Sequence, residues 1–197
     1  MEESCRCQWC GSDPVYIDYH DHVWGRPVSG SRELFEKLCL DGQQAGLSWI
    51  TILKKQQNYR AAIADFDPRQ IAEFDEKMVT RLLQNKGIIR NRLKIQAIIK
   101  NANAYLALRQ QGVDFARFLW SFTGGKPIVN AYPSGLEVPA NTVESDRMSK
   151  ALKKAGFSFV GSTICYAFMQ TVGMVNDHTT NCFAYSECAR QQREFSL

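Results

Sequence analysis

The chain has no run of about 18 apolar residues, so it offers no candidate membrane-spanning helix. It has no basic stub followed by an apolar stretch at its start. The N-terminus is instead acidic and cysteine-rich, so no export signal is visible and a cytosolic protein is expected. No tract is polar enough to stay disordered, and at 45% hydrophobic residues the whole chain is expected to fold. There is no internal repeat and no alternation long enough to mark a strand. These absences leave an all-α architecture. A length of 197 residues suits one domain with a real core, or one domain plus a small appendage.

The charge balance is mild. A net charge of +4 permits a polyanionic partner without demanding one. Its distribution says more, because Lys86, Arg90, Arg92, Lys94 and Lys100 fall in one short stretch. The seven cysteines are an odd number in a chain with no export signal, which argues against a disulfide framework. Cys39 and Cys165 sit in apolar helical patterns and read as small core residues. Cys5, Cys7, Cys10, Cys182 and Cys188 lie near the two ends, where a metal clip could join them.

Residues 38–53 pass from one apolar helix pattern into another. The junction concentrates Asp41, Gly42, Gln43, Gln44, Gly46 and Trp49. A polar helix break accounts for this. So does the rim of a pocket, in which a carboxylate accepts hydrogen bonds, amides read or wedge, and an indole stacks on a flat ligand such as a nucleobase.

Around this junction the pattern predicts a series of helices. Tyr16 and Tyr19 share a helix face, with Trp24 nearby. Ser31 is read as the N-cap of the next helix, and Asp67-Pro68 as the start of another. A short helix over 75–84 ends at Asn85-Lys86-Gly87, and a long helix begins near Asn91. That helix N-terminus, with basic residues beside it, makes either a phosphate site or an ordinary hairpin with a solvated basic face. One more helix is expected over 114–122. A loop over 123–142 carries an extended piece at 127–129. Ser145 is expected to cap a helix over 146–155, and 159–172 reads as the central buried helix. Residues 186–197 are polar and read as a frayed end.

His178 and Cys182 have the spacing of two zinc ligands on one helical turn or tight loop. Two further ligands could come from Cys5, Cys7, Cys10, His20 and His22. Four protein ligands would leave no position for water, which makes such a site structural. A zinc deaminase is the rival reading. It needs His-x-Glu and Pro-Cys-x-x-Cys, and the chain has neither.

The sequence resembles the bacterial 3-methyladenine DNA glycosylase I family, a divergent branch of the helix-hairpin-helix base-excision glycosylases. The resemblance runs from about Cys7 to about Cys182. It rests on Asp13-Pro14-x-Tyr16-Ile17-x-Tyr19-His20-Asp21, Gly42-Gln43-Gln44-Ala45-Gly46-Leu47-Ser48-Trp49, Gly87-Ile88-Ile89-Arg90, Lys94-Ile95-Gln96-Ala97-Ile98, Phe159-Val160-Gly161 and Val175-Asn176-Asp177-His178.

The resemblance implies a helix-hairpin-helix glycosylase-like fold spanning 1–197 as a single unit. The hairpin falls at about 76–106, and the N- and C-terminal segments form a zinc-bound subdomain. It implies structural Zn2+ on Cys7, His20, His178 and Cys182. It puts the base pocket on Trp9, Tyr16, Tyr19 and Trp49, with a catalytic acid at Asp41. It puts a DNA-wedging loop at Gln44 and Leu47, and a backbone-gripping hairpin at 85–90, including Lys86, Gly87 and Arg90. The implied partner is double-stranded DNA containing alkylated bases, with no obligate protein partner, and the implied state is a monomer. The implied reaction is hydrolysis of the N-glycosidic bond to release 3-methyladenine.

One residue departs from the family pattern, which usually has glutamate where this chain has Asp41. The shorter side chain leaves the carboxylate roughly 1.5 Å further from a base held in the same place. That departure keeps two other readings open: a zinc-stabilised helix-hairpin-helix module that binds damaged DNA without cleavage, and a glycosylase with a shifted lesion preference.

Overall fold

The computed structural model describes residues 5–197, and helices dominate it. A 3-10 turn at Gln8–Cys10 leads into α1 (Pro14–His22). α2 (Ser31–Gln44), α3 (Trp49–Leu53) and α4 (Gln56–Ala62) follow. Next come α5 (Pro68–Ala72), α6 (Glu76–Gln84), the long α7 (Arg92–Gln110) and α8 (Phe115–Trp120). The last third holds α9 (Val143–Lys154), α10 (Ser162–Thr171) and α11 (Phe183–Glu194). The expected all-α class needs one small addition. β1 (Ile128–Val129) and β2 (Val175–Asn176) form a two-residue parallel pair, Ile128 opposite Val175. Two residues are too few to leave an alternating pattern in the sequence.

The starts of the helices follow local chemistry. Asp13 and Asp67 cap α1 and α5, each with proline at the first helical position. Asp75 accepts from the Met78 amide at the start of α6. Asn91 accepts from the Lys94 amide at the start of α7, and Asp114 accepts from the Arg117 amide at the start of α8.

Two expected caps are corrected. Gly30, not Ser31, occupies the cap of α2, and the Ser31 hydroxyl instead accepts from the Ala116 amide at 3.1 Å. Thr142 caps α9, with Ser145 as its reciprocal partner three residues on. At α9 two hydroxyl residues compete for the cap, whereas at α2 the Ser31 hydroxyl is drawn to the Ala116 amide and the cap falls on the preceding glycine.

Two element boundaries also differ. Asp41, Gly42, Gln43 and Gln44 form the last turn of α2, and the break between helices is only 45–48. Gly42 survives inside that helix because the chain at Phe159 crosses it. A Cβ there would lie 3.1 Å from the Phe159 carbonyl oxygen. The C-terminal residues are not frayed. α11 packs on the body through buried Cys188 and Ala189, and Gln192 Nε2 donates to the carbonyls of Gly25 (3.1 Å) and Gly173 (3.2 Å).

The main core is a single large cluster. α2 contributes Leu34, Phe35 and Leu38, α7 contributes Ile95, Ile98 and Ala102, and α10 contributes Cys165, Phe168 and Met169. Cys39 is also in this core, as its pattern predicted. Each fully buried leucine or phenylalanine is worth about 1.5–3 kcal/mol, so this cluster fixes α2 against α7 and α10. A smaller cluster joins Cys7, Tyr19, Trp24, Cys182 and Ala184 and ties the two ends of the chain together. Among the described residues no helix is long and apolar enough to cross a membrane.

Candidate active site and metal cluster

Four residues from the two ends of the chain meet in one buried cluster. The ligand atoms of Cys7, His20, His178 and Cys182 all lie within 4.8 Å of one another. His178 Nδ1 is 3.6 Å from Cys7 Sγ and 3.5 Å from Cys182 Sγ, and His20 Nε2 is 3.5 Å from Cys182 Sγ. A tetrahedral zinc with ordinary bond lengths sets sulfur and nitrogen about 3.5 Å apart. The donor set and its spacing therefore fit a metal ion.

The outer partners fit as well. His20 Nδ1 is 2.7 Å from Asp21, and His178 Nε2 is 3.2 Å from the Trp24 carbonyl. With protons on those outer nitrogens, both inner nitrogens present lone pairs to the cluster. Arg6 grips Asp21 in a two-pronged ion pair. Burial pushes the Asp21 carboxyl up, but hydrogen bonds from Arg6 and His20 outweigh it and hold it below the usual range. The Cys7 thiol is drawn down to about 7, chiefly by its hydrogen bond with Cys182.

Among the alternatives left open by spacing, Cys5 is exposed and lies outside the cluster. Cys10 Sγ is engaged with the Cys7 carbonyl at 3.1 Å, and His22 pairs with Asp18 at the surface.

A cavity of about 480 Å³ lies against this cluster and shares Cys7 with it as a wall residue, with Thr179 beside Cys7 in the same wall. Trp9, Tyr16, Tyr19 and Trp49, the residues singled out from the sequence, all line it, with Asp41 and Gln44. Their rings meet edge-on or tilted: Trp9 against Tyr16 at 5.0 Å, and Tyr19 against Trp49 at 5.5 Å. The Tyr19 hydroxyl is 3.0 Å from the Thr171 hydroxyl. Burial, with Asp41 nearby, keeps the Tyr19 phenol well above its usual pKa.

The polar chemistry of the cavity is unfinished. Asp41 is only 1% exposed, and among the described residues its Oδ2 has no hydrogen-bond partner; the Trp49 indole Nε1 is also buried without one. Burial raises the Asp41 carboxyl well above the carboxylate range, against a small opposing pull from Lys37. One unpaired acid and one unpaired N–H donor in an aromatic box suit a flat ligand carrying its own donor and acceptor edges.

Several wall residues went unnamed as pocket residues at the sequence level. Trp24 was visible beside the tyrosine pair but was not assigned to the pocket. Asp177 lay inside a recognised motif. It accepts hydrogen bonds from Tyr166 (2.7 Å), Gln170 (2.8 Å) and Asn130 (2.7 Å). Leu136, at 97% exposure, reaches the cavity from the loop before α9 and carries no sequence signal that sets it apart.

Leu47, Lys86, Gly87 and Arg90 do not line the cavity. Leu47 is exposed on the tight turn after α2. Lys86 and Arg90 are exposed on the turn between α6 and α7, and Gly87 is half-buried there. Space at Gly87 is tight, since a Cβ would lie 3.0 Å from Asn85 Oδ1 and 3.1 Å from the Asn58 side chain. The basic cluster is smaller than its sequence implied: Arg92 is paired with Glu76, and Lys94 is buried.

With this geometry in place, comparison with known proteins is direct. A family model described as methyladenine glycosylase matches residues 9–185. DNA-3-methyladenine glycosylase 1 of Escherichia coli is 56% identical over 180 residues, covering 91% of this chain and 96% of that protein. A crystal structure of 3-methyladenine DNA glycosylase I superposes with a TM-score of 0.91 at 58% identity, covering 92% of this chain and all of that one. Another, of a variant of 3-methyladenine DNA glycosylase I in complex with 3-methyladenine, gives a TM-score of 0.88 at 37% identity, covering 91% of this chain and 97% of that one. The chain belongs to the methyladenine glycosylase family.

Proposed function

We propose that this protein is a DNA repair glycosylase that hydrolyses the N-glycosidic bond of 3-methyladenine in alkylated double-stranded DNA and leaves an abasic site. The observation that carries this reading is that Asp41 Oδ2 and Trp49 Nε1, two residues of one aromatic-walled cavity, are each buried with no hydrogen-bond partner among the described residues. The E. coli relative carries the activity in its name, and a 37% identical relative holds 3-methyladenine in its crystal structure.

N3-methylation places a positive charge on adenine and makes it a good leaving group. The base departs with the electron pair of the glycosidic bond. Water adds to the sugar carbon and loses a proton to solvent, so no strongly activated nucleophile is needed. The cavity stabilises the departing cation. Faces of Trp9, Tyr16 and Trp49 attract it by about 1–2 kcal/mol when desolvated. Asp41 accepts from the adenine edge, and the cation favours its ionised form. Neutral adenine lacks the charge that strengthens both terms and leaves poorly, which gives selectivity.

Gln44 and Leu47 would fill the space left in the duplex, while Lys86, Gly87 and Arg90 hold the phosphate backbone. The hairpin is α6 and α7, within about 76–106 of a single 1–197 unit. Zn2+ on Cys7, His20, His178 and Cys182 would be structural, pinning the N-terminal segment that carries Trp9 to the C-terminal one. The protein would act as a cytoplasmic monomer.

Aspartate at position 41 favours a second reading, a glycosylase whose lesion preference has shifted with the deeper acid. One experiment separates the two. DNA treated with a simple methylating agent is incubated with the protein, and free bases are identified by chromatography. Release of 3-methyladenine with little 7-methylguanine is expected. Release of a different base would move the assignment to a retuned pocket, and tight binding with no release would move it to a non-catalytic binder.

A further inference from the structure

A buried polar chain runs from the hairpin to the end of α2, and the reaction described above makes no use of it. At the hairpin, the Ile89 amide donates to the Tyr59 hydroxyl at 3.1 Å. That hydroxyl donates to Gln43 Oε1 at 3.1 Å, and Gln43 Nε2 donates to the Lys94 carbonyl at 3.0 Å. Lys94 Nζ then turns back to the carbonyls of Gln43 and Ala45, at 2.7 Å each. Tyr59 and Gln43 are essentially inaccessible, and Lys94 is only 7% exposed.

A buried ammonium without an acid is unusual, because desolvation penalises the charge. No carboxylate pairs with Lys94 among the described residues. Its counter-charge is the carbonyl end of α2, where the last turn carries partial negative charge. A cap of glycine or water would satisfy those carbonyls without burying a charge. Burial accordingly lowers the Lys94 pKa.

The location of this chain gives it a purpose. Lys94 lies in the first turn of α7, just beyond the hairpin turn at 86–90. The carbonyls it holds flank Gln44 and open the exposed turn that bears Leu47. Asp41 sits one turn earlier on the same helix.

We propose that Lys94, Gln43 and Tyr59 form a positioning relay that locks the hairpin turn to the turn at 45–48, so that seating DNA backbone on the hairpin places Gln44 and Leu47 to open the duplex. None of the three touches the base; they act through the residues they hold. The proposal rests on the reading of the protein as a DNA glycosylase.

The test uses full-length Lys94→Met and Tyr59→Phe. Tyr59→Phe keeps the ring in the core and removes one oxygen, so it carries the test if Lys94→Met folds poorly. Three quantities are measured: affinity for free 3-methyladenine by quenching of the cavity indoles, fluorescence of 2-aminopurine placed opposite a stable abasic-site analogue in a duplex, and single-turnover base release from methylated duplex. Free-base affinity should stay within about twofold of wild type. The 2-aminopurine signal and the duplex release rate should both fall by about tenfold or more. The double variant should be little worse than either single one, because both break the same chain. Unchanged duplex opening and release would overturn the relay. A parallel fall in free-base affinity would overturn it too, by showing damage to α2 as a whole. Wild-type protein that opens the duplex but releases no base would instead remove the glycosylase reading and leave the relay standing.

Discussion

The indole of Trp24 meets the imidazole of His178 edge-on, with ring centroids 4.6 Å apart and planes at 78°. The His178 ring also reaches the Trp24 backbone carbonyl through Nε2. Trp24 lines the cavity, and His178 belongs to the Cys/His cluster. One side chain thus forms a wall shared by the cluster and the cavity.

With the proposed zinc bound by the cluster, its removal should cost the protein both stability and base binding. Losing several kcal/mol of cross-linking between the chain ends would lower the melting temperature by roughly 10 °C or more in a chain of this size. Thermal melts and base titrations with and without a strong chelator check this, alongside His178→Ala. A chelated protein that melts and binds base as before would disconnect the cluster from the cavity.

Asp41→Asn should stabilise the empty protein while impairing base release. The buried Asp41 carboxyl is raised well above its usual range. Its contribution to stability is complete below the unfolded value of about 4 and is lost as pH rises toward the folded value. Urea midpoints of wild type and variant should coincide near that acidic limit, with the variant increasingly the more stable at higher pH. Single-turnover release of 3-methyladenine should meanwhile drop by about a hundredfold, as for loss of an electrostatic partner in a dry site. An unchanged release rate would take Asp41 out of the mechanism.

Asp41→Glu tests the missing methylene. Asp41 Oδ2 has no partner among the described residues. A side chain about 1.5 Å longer would reach further toward a bound base. Affinity for free 3-methyladenine should rise by roughly tenfold, the worth of one charge-assisted hydrogen bond. Fluorescence titration measures this; equal or weaker binding by the glutamate variant would mean the base already sits against the shorter acid.

Gly87→Ala should weaken DNA binding and spare free-base binding. The added Cβ would press on Asn85 Oδ1 and Asn58, the groups that hold the hairpin turn. Duplex affinity should fall by about tenfold, with a shallower dependence on salt as phosphate contacts are lost. Binding isotherms at several salt concentrations decide it. A variant with wild-type affinity and salt slope would move the phosphate grip elsewhere on the surface.

Much of this arrangement was legible from residues that act locally. Asp13, Asp67, Asp75, Asn91 and Asp114 cap helices through the next two or three amides, so their helix starts could be read directly. Ser31 and Ser145 misled because a cap can sit on any of several neighbouring residues, and tertiary partners choose which one. α11 was missed because polar residues such as Gln192 are buried against carbonyls of distant chain, a contact with no periodic signature.

By itself the sequence determined the helical class, the family motifs and the kinds of chemistry present: thiols and imidazoles at the ends, and aromatics with Asp41 in the first quarter. Such features depend on residue type and short spacing. Tertiary structure decided the rest. Where residue spacing left Cys5, Cys10 and His22 open and only the family resemblance chose, it brought Cys7 and His20 to His178 and Cys182 and left the other three outside. It also turned Lys94 from a basic surface stretch into the interior. Both outcomes depend on which segments of chain, far apart in sequence, pack side by side, because burial and ligand geometry are properties of that packing rather than of any local pattern.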